Sequence, residues 1–230
     1  MTDQLVSNGA TVSDTPPFED TPRWRRRKDA RPAEVLSAAL GVFIAKGFAG
    51  ARMEDIARAA GVTKGTVYLY FPSKQAVFEA LVRETVMPRL DLAEALIGGH
   101  EGPVAPLLRK IIETLGVQVA TTDLALVAKL VIGEAGNFPE IARFYRSEVI
   151  ARGEALFGRI YRLGVLGGEF PDLPVEVATK LAIGPVLITA LWRTTFAPID
   201  DRPFDAVAVI RAHAAVLTAG LGALAGKDLP

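Results

Sequence analysis

Thr63, Lys64, Thr66, Tyr68, Tyr70 and Lys74 fall within twelve consecutive residues, TKGTVYLYFPSK. Hydroxyls and ammonium groups at this density donate hydrogen bonds to phosphate oxygens and to base edges. Lys74 is cationic at the start of the next expected helix, where the helix dipole favours an anion. A nearby DNA phosphate would relieve that mismatch.

Two short helical patterns must position these groups. The first, residues 53–60, sets Met53, Ile56, Ala57 and Ala60 on one side. Gly61 supplies a tight bend, and Thr63 stands where an N-cap belongs. In the second pattern Val67 and Phe71 are the strongly apolar residues spaced to pack inward. Tyr68 and Tyr70 are two apart, so they cannot both face inward with Val67 and Phe71, and at least Tyr68 points out. Two short helices at an angle, the second with a polar outer face, describe a DNA-reading helix-turn-helix. Gly65 inside that helix costs about 1 kcal/mol relative to alanine. Tolerance is one explanation; close approach of bare backbone to the groove floor is the favoured one.

Gly47-Phe48, the run 53–57, the run 60–68 and Tyr70-Phe71-Pro72-Ser73-Lys74 together resemble the N-terminal domain of the TetR family, over about residues 31–81. The resemblance implies a dimeric, all-helical transcriptional regulator, in most members a repressor that small ligands release from DNA. It implies DNA contacts from Thr63, Lys64, Gly65, Thr66, Tyr68 and Tyr70, with Arg52 and Lys74 on phosphates. One departure stands out. The family usually caps the helix near Met53 with Thr or Ser, and here Ala51 and Arg52 occupy those places. A phosphate contact there falls to the Arg52 guanidinium or to backbone amides.

Formal net charge is zero over 230 residues, but it is unevenly spread. Residues 21–83 carry twelve bases against five acids, about +7, and the remainder sums to about −7. A basic N-terminal module on a mildly acidic body suits DNA binding by the first part. There is no cysteine, which excludes disulfides and thiol chemistry and fits a reducing cytoplasm. Residues 1–22 are rich in Thr, Ser, Asp and Pro and read as disordered, with no secretory pattern. The run Arg25, Arg26, Arg27 ends this arm. It is a solvated tail or, directly before a helix-turn-helix, an arm reaching into the minor groove. Three divisions follow: an arm (1–30), a helix-turn-helix domain (31–80) and a helical ligand-binding and dimerisation domain (81–230).

Helix one is expected from Pro32 to Gly47 and helix four from Ser73, with a kink or break at Pro88. Beyond residue 100 only helical periodicity is visible, with no alternating segment, so the fold class is all-α. Residues 175–196 and 204–224 are apolar nearly all round, which predicts burial on every side. We expect a two-fold four-helix interface between protomers, with Leu187, Leu191, Val209, His213 and Leu217 in it. Lys180, Pro185, Arg193 and Arg211 interrupt the apolar runs, so no membrane span is expected. The effector pocket is expected behind helix four, among Met87, Leu90, Leu107, Ile111, Phe138, Tyr145, Leu187 and Trp192. His100 and His213 make no metal set, Glu54-Asp55 favours a helix dipole, and neither enzyme chemistry nor a cofactor is implied. Operator DNA, a small effector and a second copy of the chain are the expected partners, and a repressing or activating sign stays open. The rival reading is an all-helical ligand-binding or protein-interaction module whose helix-turn-helix is structural only.

Overall fold

The structure, a computed structural model, describes residues 23–227, with side chains from residue 32 onward. Helix α1 spans Arg23–Gly50, α2 Met53–Ala59, α3 Lys64–Tyr70 and α4 Lys74–Gly98. Then come α5 (Val104–Thr121), α6 (Leu124–Glu134), α7 (Pro139–Tyr145), α8 (Ala151–Leu166), α9 (Val175–Thr195) and α10 (Ala206–Leu224). No strand occurs among the described residues. A π-helical turn, Arg146–Ile150, joins α7 to α8. It rephases the helix, so that Ile141 before it faces one core while Leu156, Phe157 and Ile160 after it face another.

Those two cores organise the molecule. The first joins α1, α2, α3 and the front of α4 (Val77, Phe78, Leu81, Val82) to Val127, Leu130 and Val131 of α6 and Ile141 of α7. The second holds the back of α4, with α5, α8, α9 and α10. The core formed by α1, α2 and α3 therefore extends past residue 80. It borrows apolar side chains from α6 and α7.

Two expectations about helices are corrected. First, α1 begins at Arg23, ahead of Pro32, which lies inside it. Arg and Lys are good helix formers, and one proline removes a single donor from a long ladder. Second, α4 runs unbroken through Pro88 to Gly98. By length and composition alone, Pro32–Gly50, Val175–Ile199 and Ala206–Leu224 are each long and apolar enough to cross a bilayer. One or two charges do not disqualify such a stretch. In the fold the first of these lies in the first core, and α9 and α10 pack on α5 and on each other.

Candidate nucleic-acid interface

The outward pair α2–α3 is built from local chemistry. Gly61 takes φ 65°, a region open to glycine without penalty, and turns the chain so that the Val62 amide donates to the Ala57 carbonyl at 3.0 Å. The Thr63 hydroxyl caps α3, accepting from the Thr66 amide at 3.1 Å, and pairs with the Thr66 hydroxyl at 2.9 Å. Val67 and Phe71 face the first core as expected. Arg52 is the exposed N-cap residue of α2 and makes no side-chain cap. Its guanidinium is left at the protein surface beside a helix start.

On the outer face Lys64 pairs with Glu54 of α2 and lies 5.6 Å from the Tyr68 ring centroid. The ion pair holds the Glu54 carboxyl below and the Lys64 ammonium above their usual ranges, each chiefly through the hydrogen bond between them. Both groups are in solvent, where such a pair is weak and readily exchanged for a phosphate. Asp55 is held separately by Lys46 at 2.8 Å, which also lowers its pKa. Tyr68 is exposed, whereas Tyr70 is half-buried against the first core, with its ring near Phe71. Tyr70 thus helps seat α3, and its reach toward DNA is limited to whatever it leaves uncovered. Leu69 went unassigned in the sequence and is the most exposed large apolar side chain on the helix. It lies opposite Val67, and that spacing was the available signal.

Lys74 is not a free surface cation. Its ammonium donates to the carbonyls of Phe48, Ala49 (3.3 Å) and Ala51 (3.0 Å), and it sits 4.5 Å from the Phe48 ring centroid. Burial pushes its pKa down, with Glu134 opposing. In the structure Lys74 thus clamps the carbonyl end of α1, where cations are favoured. The Phe48 peptide is gripped from both sides, because its amide donates to the Glu134 carboxylate of α6 at 2.7 Å. Gly47, at φ 69°, breaks α1 there and leaves room for that carboxylate.

Gly65 has a different role. A Cβ added to it would meet only the Thr63 hydroxyl, at 3.8 Å, so nothing inside the protein demands glycine. Gly65→Ala should raise the melting temperature slightly, in line with about 1 kcal/mol of helix propensity. It should also weaken DNA binding if bare backbone meets the groove. Thermal unfolding and a gel shift on the same variant check both halves.

Residues 35–81 match the family described as bacterial regulatory proteins, tetR family. Over 194 residues the chain is 39% identical to the HTH-type transcriptional regulator RutR of Escherichia coli (strain K12), covering 80% of each protein. The chain belongs to the TetR family. It is a DNA-binding transcriptional regulator and not an enzyme. Among solved structures, FadR of Bacillus halodurans, a fatty acid degradation regulator, superposes with a TM-score of 0.66 at 23% identity, over 82% of this chain and 94% of that one. Bacillus subtilis FadR in complex with stearoyl-CoA gives 0.62 at 22%, over 82% and 98%. At these identities the likeness is one of fold.

The residues expected to line an effector pocket do not share one place. Leu107 and Ile111 are buried in the second core, with Leu90 packed against it. Phe138 and Tyr145 belong to the first core, Phe138 edge-on to Phe48 with centroids 4.9 Å apart. Burial pushes the Tyr145 phenol up to about 12. Met87 lies 3.9 Å from Arg152, which also bridges α8 to Asp91 (2.6 Å) and Glu94 (2.9 Å) of α4. Leu187 is half-buried, and Trp192 is exposed beside Phe196. A cleft of about 170 Å³ lined by Tyr161, Arg162, Val165 and Leu173 contains none of the expected residues. It is smaller than an ordinary ligand pocket of roughly 300–1,000 Å³.

The expected dimer residues also separate. Val209 faces outward, but His213 bridges to the Ala182 carbonyl at 2.9 Å within the protomer, and Leu217 packs on the second core. Leu187 and Leu191 are half-buried. The outward stripe of α9 is Val177, Leu181, Ile188 and Trp192, while α10 presents Val209 and Val216 among the exposed small residues Ala212, Ala219 and Ala223. Among the described residues no group of three His, Asp or Glu side chains could hold a metal.

Proposed function

We propose that the chain acts in the cytoplasm as a homodimeric repressor, holding a two-fold operator with one α3 from each protomer and releasing it when a small ligand enters the body. The observation that carries this reading is the outer face of α2–α3. Arg52, Thr63, Lys64, Gly65 and Tyr68 stand exposed above a rigid apolar base of Val67 and Phe71. They do so in a segment with a charge of about +7. Arg52 and Lys64 would hold phosphates, Thr66 and Tyr68 would reach base edges or backbone, and Arg25, Arg26 and Arg27 add positive charge ahead of the packed part of α1.

Dimerisation is supported by the apolar stripes of α9 and α10, which nothing in the single protomer covers. Large side chains on α9 and small ones on α10 suit close helix packing across a two-fold axis. Coupling to DNA is supported by Glu134. It stands at the end of α6, whose neighbours α5 and α9 belong to the body, and it bonds the turn that leads into α2. A ligand that displaces α6 would pull on that turn and alter the spacing of the two recognition helices.

Lys64→Ala and Tyr68→Phe test the reading. Each should weaken binding to duplexes selected by the protein by about 1–3 kcal/mol, with melting temperature unchanged. Binding should also fall steeply with salt. A variant that melts several degrees lower yet binds DNA normally would show that its side chain packs. No salt-dependent binding by the wild type would favour the rival, structural helix-turn-helix.

A further inference from the structure

Leu69 is 77% exposed on the face that the proposed function turns toward DNA. It stands one helical turn after Gly65, and residues four apart share a helix face. No other side chain occupies the space at Gly65, where an added Cβ would have only the Thr63 hydroxyl within 4 Å. The outer surface of α3 thus presents a bare turn of backbone followed by an isobutyl group, flanked by exposed Lys64 and Tyr68. A leucine offers neither donor nor acceptor to a phosphate or a base edge. The apolar group that a base presents in the major groove is the thymine 5-methyl.

We infer that Leu69 reads a thymine through its 5-methyl group and so determines specificity at one base pair of each half-site. The inference rests on the DNA-reading face proposed above. It also gives Gly65 a purpose, since the missing side chain lets the helix approach closely enough for the leucine to touch the groove wall.

The test uses the full chain and duplexes it enriches from a random pool. Each thymine of the enriched half-site is replaced singly by deoxyuridine, which removes one methyl and keeps every hydrogen bond. Wild type is expected to lose about threefold to tenfold in affinity at one thymine per half-site, the scale of one buried methyl contact. Leu69→Ala should bind the unmodified duplex more weakly by a similar factor, fold normally, and show no further loss at that position. Wild-type binding indifferent to every deoxyuridine, or a Leu69→Ala variant that keeps the full penalty, would overturn the inference while leaving the DNA-reading face intact. Enrichment of no duplex would overturn that face and the inference with it.

Discussion

Ile188→Glu should turn the protein into a monomer and lower its operator affinity by about two to four orders of magnitude. Ile188 is 61% exposed in the protomer, midway along the outward stripe of α9. A glutamate there meets water when the protomer is alone, so the fold itself should survive. Across a two-fold axis the same carboxylate faces apolar side chains and its own copy, and an unpaired buried charge is among the costliest of changes. Losing the dimer removes the linkage between two half-site contacts, and linkage of this kind multiplies affinity by about 10²–10⁴. Sedimentation and a gel shift on one preparation decide it. A dimer of normal size with wild-type affinity would exclude this face as the interface. Leu187→Glu, one residue earlier, should instead damage the protomer, because that side chain is already half-buried within it.

The second large effect belongs to Gly47 and Glu134. At φ 69° an alanine is strained by about 1–2 kcal/mol, and its Cβ would lie 2.7 Å from the Glu134 carboxylate. The carboxylate must move, which leaves the partly buried Phe48 amide without its acceptor at a further cost of about 1–3 kcal/mol. Gly47→Ala is therefore expected to destabilise by about 2–5 kcal/mol and Glu134→Ala by about 1–3 kcal/mol. The double variant should be little worse than Gly47→Ala alone, because the first change already breaks the bond that the second removes. Unfolding at one fixed protein concentration measures this, since a dimer's stability depends on concentration. Strict additivity would show that the carboxylate does not hold this turn.

Local chemistry made α2 and α3 legible in the sequence. Thr63, Gly61, Val67 and Phe71 act within a turn or two of themselves, and each does in the fold what its type and spacing suggest. The Lys74 clamp was not legible because its partners, the carbonyls of Phe48, Ala49 and Ala51, lie more than twenty residues away and carry no side-chain signature. Glu134 was invisible for the same reason, lying 86 positions from Phe48 in the chain. In α9 and α10 the difficulty was contrast. When apolar residues surround a helix, periodicity marks no face, and the outward stripe falls on Ile188 and Trp192 instead of Leu187. The body residues offered for a pocket scatter between two cores, because apolar spacing names core positions without saying which core they enter.

Selection of duplexes from a random pool by the full chain tests whether paired α3 helices read a two-fold operator. The expected result is enrichment of a two-fold symmetric sequence, its half-sites about one helical turn or a multiple apart, with a thymine inside each half-site and affinity falling steeply with salt. Enrichment of no sequence, or of one without two-fold symmetry and bound independently of salt, would contradict it.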